Sequence, residues 1–134
     1  MKTKSKIARA ARKRILIVDD EPQVLEVFSA LLREKGYEVD TAEHALAAIA
    51  AVVRATPDLI LADLQMPIVG GMELAHELKS HIDSRTIPVI AFTGYDTPQL
   101  REAAQKAGYD GYLPKPTEPG VFLVEVAKLL GKTL

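Results

Sequence analysis

The chain has 134 residues, of which 48% are hydrophobic and 26% charged, and it contains no cysteine. This size and composition are typical of one globular domain with a substantial core. The lack of cysteine excludes disulfides, zinc thiolate sites and thiol nucleophiles. No apolar stretch approaches the roughly 18 residues of a membrane span, and no apolar signal segment follows the basic N-terminus. We therefore expect a cytoplasmic protein.

The net charge of −1 conceals a basic N-terminus. Residues 1–14 contain seven lysines and arginines and no acid, which leaves ten basic and 18 acidic residues in the rest of the chain. We predict a basic arm at residues 1–13 and a single acidic domain at residues 14–134. Such an arm is either a solvated tail or a docking segment for nucleic acid or an anionic surface, and both interpretations stay open.

The first predicted elements are a strand at residues 15–18 and a helix that starts after Glu21. Proline is favoured in the first turn of a helix, and Pro22 stands there. Apolar residues then recur at helical spacing as far as Leu32, and Gly36 supplies a helix stop.

Strands and helices continue to alternate along the rest of the chain. A strand is predicted at 38–42, a helix at 43–54, a strand ending before Asp63, a helix at 72–81, a strand opened by Pro88, a helix at 98–107, a strand at 110–113 and a helix at 118–130. The helix at 98–107 has a weak apolar stripe, so we expect it to pack shallowly. Five strand–helix units predict an α/β fold with a doubly wound parallel sheet, right-handed crossovers and helices on both faces.

Four apolar runs each end in polar residues of a different kind. Continuous apolar runs are typical of parallel strands that are covered on both faces. The carboxyl ends of such strands meet at one edge of the sheet, where ligands bind. Carboxylates, a hydroxyl and an ammonium should therefore converge there, a set that suits a divalent cation and a phosphoryl group. The residues that follow or end the runs are Asp19, Asp20, Glu21, Asp63, Thr93 and Lys115.

From about residue 14 to its C-terminus the chain resembles the receiver domain of two-component response regulators. The resemblance is carried by the segments Asp19-Asp20-Glu21, Asp63-Leu64-Gln65-Met66-Pro67, Gly70-Gly71, Thr93-Gly94 and Lys115-Pro116. It implies a flavodoxin-like sheet of five parallel strands in the order 2-1-3-4-5. It also implies a single-domain response regulator that catalyses only its own phosphorylation and dephosphorylation, and is not a classical enzyme.

In this family the residue matched by Asp63 accepts a phosphoryl group from a phosphohistidine. The resemblance implies a Mg²⁺ ion held by Asp20, Asp63 and the backbone carbonyl of Gln65, with Asp19 acting largely through metal-bound water. Lys115 would bind a phosphate oxygen and supply positive charge.

The resemblance also implies a switch. Thr93 would bind the phosphoryl group, beside which Gly94 leaves room, and Tyr112 would then turn inward. Pro116 matches a position where a cis peptide aims the lysine inward. The surface formed by the fourth helix, fifth strand and fifth helix would change, and would control a partner or relay phosphate.

The expected partners are a sensor histidine kinase or a histidine phosphotransfer protein, and an unidentified target protein. No membrane partner is expected, direct nucleic-acid binding is disfavoured, and a homodimer is open. Thr117 departs from the phenylalanine that many members have after Lys-Pro. Gln65 and Tyr95 match positions that modulate phosphoryl lifetime in this family.

Several alternatives stay open. Asp19 or Asp20 could cap the first helix, as Asp often does, and Tyr112 could be an ordinary strand aromatic. The chain could be a phosphorylation-independent pseudo-receiver, or a fragment of a larger regulator or hybrid kinase. A phosphatase of the haloacid dehalogenase type is disfavoured, because Gln65 stands where those enzymes have a second aspartate. The three histidines, His44, His76 and His81, are interpreted as surface residues.

Overall fold

The computed structural model describes residues 12–66, 70–115 and 118–131. Strands and helices alternate through these residues, as the sequence predicts. The elements are β1 (Arg14–Val18), α1 (Pro22–Glu34), β2 (Glu38–Ala42), α2 (Ala45–Arg54), β3 (Leu59–Ala62), α3 (Gly71–Ser80), β4 (Val89–Thr93), α4 (Pro98–Ala107), β5 (Gly111–Pro114) and α5 (Pro119–Gly131).

The five strands form one parallel sheet in the order β2-β1-β3-β4-β5, so the predicted fold and strand order are confirmed. In the sheet centre, residues 15–18 of β1 lie opposite residues 59–62 of β3. Every residue of β3 and β4 is buried, because helices cover both faces of the sheet. The strand order reverses direction between β1 and β3, which places the expected ligand crevice at their carboxyl ends.

Two hydrophobic layers separate the sheet from its helices. One face of the sheet packs against α2, α3 and α4, and the other packs against α1 and α5. On the second face, the Phe28 ring lies edge-on to Phe92 with a centroid distance of 4.9 Å and contacts Phe122 at 4.7 Å. These rings join α1 and α5 to β4, directly beneath the carboxyl edge of the sheet.

Element boundaries differ from the prediction by at most two residues. Helix α2 begins at Ala45, because the Nδ1 atom of His44 accepts a hydrogen bond from the Ala47 N–H and caps the helix. All three histidines are exposed, as predicted, although the capping role of His44 was not. Helix α1 ends as expected, with Gly36 at a positive φ of 96°.

The start of α1 and the packing of α4 also bear on the sequence predictions. The capping hypothesis for Asp19 and Asp20 is wrong, since Glu21 occupies the N-cap position of α1 and makes no side-chain capping bond. The shallow packing of α4 is confirmed, because Ala104 is its one buried residue.

Among the described helices, none has the length and apolar character needed to cross a membrane.

Candidate functional site

The polar residues at the strand ends converge on the side chain of Lys115. Its Nζ atom lies 2.6 Å from Oδ2 of Asp19 and 3.5 Å from Oδ2 of Asp63. Asp19 is fully buried and Asp63 is 7% exposed. One ammonium therefore bridges two largely desolvated carboxylates that come from different strands.

The sheet itself holds these residues in place. The backbone N–H of Asp19 donates to the Ala42 carbonyl at 3.0 Å, and that of Asp63 donates to the Val18 carbonyl at 3.0 Å. The N–H of Lys115 donates to the Thr93 carbonyl at 2.7 Å. The hydrogen-bond ladders thus extend past the strand ends and fix the backbone from which each side chain projects.

Both buried carboxylates are oriented in the same way. Oδ1 of Asp19 accepts a hydrogen bond from the Glu21 N–H at 2.9 Å, and Oδ1 of Asp63 accepts one from the Gln65 N–H at 3.2 Å. In each case one oxygen is bound by an amide two residues later in the chain. The other oxygen, Oδ2, faces Lys115.

The environment raises the pKa values of Asp63 and Lys115. Burial raises the pKa of the Asp63 carboxyl most, and the Asp19 charge adds to this, against smaller lowering effects from Lys115, the Gln65 N–H and Thr93. Burial acts to lower the pKa of Lys115, but the hydrogen bond to Asp19 and the charge of Asp63 outweigh it and raise that pKa. The lysine is therefore a cation under physiological conditions.

A cluster of carboxylates next to this lysine offers ligands for a metal ion. Asp19, Asp20 and Glu21 each place an oxygen within 4.8 Å of the others, and Asp20 and Glu21 are exposed. Such oxygens are the ligands that Mg²⁺ prefers, so the donor set fits that ion. Of the predicted ligands, Asp19 and Asp20 are brought together, whereas Asp63 is linked to Asp19 through Lys115. Glu21 was expected at this edge of the sheet but was not among the predicted metal ligands. The structure assigns Gln65 an amide contact, and the role of its carbonyl stays a prediction.

An open cleft of about 600 Å³ reaches Asp63 from solvent. A Cβ atom added to Gly94 would meet only the Lys115 carbonyl, at 3.9 Å, so the space beside this glycine is open. The cleft gives a small ligand access to the Asp63 carboxylate. Its lining residues are Glu21, Val24, Phe28, Asp63, Gly94, Tyr95 and Lys115.

The two predicted switch residues bind the same loop residue. Thr93 is fully buried, and its hydroxyl oxygen accepts a hydrogen bond from the Tyr95 N–H at 3.3 Å. The Tyr112 hydroxyl donates to the Tyr95 carbonyl. The Arg101 guanidinium lies 4.7 Å from the centre of the Tyr112 ring and is bonded through two nitrogens to Asp96, at 2.6 and 3.1 Å. Tyr112 is thus held toward the loop after β4.

Sequence reasoning missed Tyr109, whose buried hydroxyl donates to the backbone carbonyl of Asp63 at 3.3 Å. No local pattern marks this contact, because the two residues are far apart in the sequence. The predicted supporting residue Pro116 lies outside the described residues.

A comparison with protein families decides how the site is to be interpreted. A family described as the response regulator receiver domain matches residues 15–127. The chain belongs to this family. It is therefore a signalling module of two-component systems. Receiver domains of this family interact with histidine kinases and downstream targets.

Individual relatives and solved structures agree with this assignment. The chain is 34% identical over 119 residues to the probable transcriptional regulatory protein TcrX of Mycobacterium tuberculosis; the match covers 89% of this chain and 50% of TcrX, so this receiver spans about half of that relative. The structure of the Vibrio cholerae chemotaxis protein CheY4 has a TM-score of 0.84 at 28% identity, covering 88% of this chain and 98% of that one. The receiver domain of the Pseudomonas aeruginosa sensor kinase PA1611, which has a magnesium ion in its active-site cleft, has a TM-score of 0.81 at 30% identity and covers 90% and 99%.

Proposed function

We propose that this receiver accepts a phosphoryl group on Asp63 from a phosphohistidine and responds by changing the surface of α4, β5 and α5. The observation that carries the proposal is the placement of Asp63. Its carboxylate opens onto a cleft and is bridged to the buried Asp19 by the ammonium of Lys115. A structural ion pair would not need access from solvent.

The chemistry follows from these positions. A carboxylate oxygen of Asp63 attacks phosphorus, the bond from phosphorus to the donor imidazole nitrogen breaks, and the electron pair leaves with that nitrogen. The product is an acyl phosphate. Because the phosphoryl group brings roughly two negative charges to a carboxylate site, fixed positive charge is needed. Lys115 supplies part of it, since its ammonium lies 3.5 Å from Oδ2 of Asp63.

A Mg²⁺ ion fits the remaining requirement. We infer that Asp19 and Asp20 hold it together with Asp63 and the Gln65 carbonyl, and the magnesium in the Pseudomonas relative supports this inference. When bound, the ion supplies positive charge that stabilises the phosphoryl oxygens. The exposure of Asp20 leaves the site open to ions from solution.

The switch is proposed to pass through Tyr95. If the Thr93 hydroxyl turns to a phosphate oxygen, it no longer accepts the Tyr95 N–H, and the loop whose carbonyl binds Tyr112 is freed to move. To shift the equilibrium between the inactive and active conformations from 1:99 to 99:1, the phosphoryl group must stabilise the active conformation by about 5.5 kcal/mol relative to the inactive one. Several charge-assisted contacts to a phosphoryl group reach that magnitude, whereas a single hydroxyl bond does not.

Further proposals concern the setting of this receiver. We place it in the cytoplasm, as a single-domain regulator preceded by the basic arm, with a sensor kinase or histidine phosphotransfer protein as donor. Its output is control of a target protein or relay of the phosphoryl group. A receiver module within a longer regulator or hybrid kinase is the alternative to the single-domain proposal, and TcrX, of which this chain spans about half, favours keeping it.

The test is phosphorylation by acetyl phosphate and Mg²⁺, followed by intact mass. We expect one labile phosphoryl adduct that is absent from Asp63→Asn and is abolished by a chelator. Asp83→Asn, which changes an exposed aspartate outside the site, is the matched control and should be labelled like the wild type. No adduct, under conditions that label a control receiver, would overturn the proposal in favour of a phosphorylation-independent binding module.

A further inference from the structure

Tyr109 is a buried tyrosine in the turn between α4 and β5. It follows Gly108, which ends α4 with a positive φ of 115°, and its own N–H donates to the Ala104 carbonyl at 3.0 Å. Its side chain is 4% exposed and packs in the core layer shared by α2, α3 and α4. The helix end therefore fixes the backbone from which this side chain extends.

The Tyr109 hydroxyl reaches the end of β3 at a crowded point. It donates to the Asp63 backbone carbonyl at 3.3 Å. A Cβ atom added to Gly71 would lie 1.8 Å from that carbonyl oxygen and 2.5 Å from the hydroxyl oxygen of Tyr109. The start of α3, the Asp63 carbonyl and the hydroxyl are thus in direct contact, and the carbonyl is confined from two directions.

This confinement bears on the Asp63 side chain. The Asp63 carbonyl belongs to the peptide that joins Asp63 to Leu64. Rotation of that peptide would displace the next peptide along the chain, which carries the N–H of Gln65. This N–H donates to Oδ1 of the Asp63 carboxylate. Fixing the carbonyl therefore also fixes the carboxylate, and with it the direction in which Oδ2 faces Lys115.

The hydroxyl is suited to act as a permanent donor. Burial raises the pKa of Tyr109 far above its usual range, and the Asp63 charge adds to this effect. The hydroxyl therefore carries its proton at neutral pH and can donate to the carbonyl.

We propose that Tyr109 is a positioning residue for phosphoryl transfer, which holds the Asp63 carbonyl through its hydroxyl and so orients the nucleophilic carboxylate. The inference rests on the proposed role of Asp63 as phosphoacceptor. It adds a residue on the α4–β5 turn to the groups that control the reaction rate.

The test is the Tyr109→Phe variant, which removes the hydroxyl and keeps the ring. Phosphorylation by acetyl phosphate with excess Mg²⁺ is followed by intact mass, at a temperature where circular dichroism shows wild type and variant fully folded. We expect a rate constant about tenfold lower, because small misplacements of a reacting group have effects of this order or larger. Tyr37→Phe is the matched control, since Tyr37 packs on the opposite face of the sheet, and its rate should be within twofold of the wild type.

A second measurement reports on the contact directly. The ¹⁵N chemical shifts of the Leu64 and Gln65 amides should change in Tyr109→Phe and not in Tyr37→Phe. A lower melting temperature with an unchanged rate constant in the folded protein would reduce Tyr109 to a packing role and overturn the inference. Unchanged Leu64 and Gln65 shifts would overturn it as well.

The two proposals fail in different ways. If the wild type is labelled and Tyr109→Phe is labelled equally fast, the positioning role is wrong and the phosphoacceptor proposal stands. If the wild type is not labelled where a control receiver is, the phosphoacceptor proposal fails and the positioning role fails with it.

Discussion

Lys115 is the cation that contacts both buried carboxylates of the site. Removing one member of a buried ion pair leaves the other charge desolvated and without compensation, which costs about 3 kcal/mol or more. Lys115→Met should therefore lower the free energy of unfolding by about 3 kcal/mol, because Asp19 has no exposed surface through which water could replace the ammonium. Urea denaturation at pH 7 measures this loss.

A double-mutant cycle separates the pair from a general packing defect. If the loss comes from the unpaired Asp19, the variant Asp19→Asn/Lys115→Met should be clearly more stable than the sum of the two single changes predicts. Lys106→Met is the control, since its ion pair with Glu102 is solvent-exposed and should contribute little. Additive effects of the two single changes would contradict the pairing argument.

The ionised Asp63 side chain is expected to lower the free energy of unfolding at neutral pH. Its pKa is raised in the folded protein, chiefly by burial, so folding favours the protonated form. The free energy of unfolding therefore falls as the pH rises from about 3.8, the pKa of this carboxyl in the unfolded chain, through its higher pKa in the folded protein. Asp63→Asn should melt a few degrees higher than the wild type at pH 7, and the difference should shrink toward pH 4. Thermal unfolding across this pH range is the measurement, and a variant that melts lower at pH 7 would show that Asp63 is stabilised by its partners.

At the scale of elements, the junction of β3 and α3 has no room for a side chain at Gly71. An added Cβ would lie 1.8 Å from a backbone oxygen, which cannot move as the end of a long side chain can. Gly71→Ala should destabilise the protein by about 3 kcal/mol, at the upper end of the usual cost of overpacking, and should slow phosphorylation because the end of β3 must shift.

Gly120→Ala is the matched control for this substitution. A Cβ at Gly120 meets nothing within 4 Å and lies in the helix α5, where alanine is favoured over glycine. The control should be as stable as the wild type or slightly more stable. If both variants denature at the wild-type urea concentration, the close contact at Gly71 does not constrain the chain.

The elements themselves were largely predictable from the sequence, since four of the five strands contain an apolar run and α1, α4 and α5 each begin with a proline. The convergence of Asp19, Asp63 and Lys115 followed from the parallel order of the strands. The cap at His44 was missed because an exposed histidine gives no sign that its ring nitrogen will accept a backbone hydrogen bond.

Side-chain contacts that depend on the geometry of turns and on helix packing were not predictable. The bond from Tyr109 to the Asp63 carbonyl joins residues 46 positions apart, and it depends on the turn after α4 and on the packing of α3. Helical periodicity also overstated burial. Val27 and Val124 fall within the apolar patterns of α1 and α5, yet they are 53% and 54% exposed.

At the scale of the whole molecule, acidic charge is concentrated where the metal is proposed to bind. Beyond residue 14 the chain has an excess of acid, and three carboxylates share the end of β1. A ligand that binds only the folded state stabilises it, by about 2.7 kcal/mol at a concentration 100 times its dissociation constant. Millimolar MgCl₂ should therefore raise the melting temperature by several degrees, beyond the effect of NaCl at equal ionic strength.

The Mg²⁺-dependent rise in melting temperature also tests where the ion binds. Asp20→Asn should abolish most of the Mg²⁺-dependent rise, because it removes a carboxylate of the cluster that is exposed to solvent. Asp83→Asn removes the same charge outside the site and should keep the rise. Equal rises in both variants would mean that Mg²⁺ acts on the acidic surface in general, by screening. A rise lost only in Asp20→Asn would assign it to the cluster after β1, independently of any phosphorylation assay.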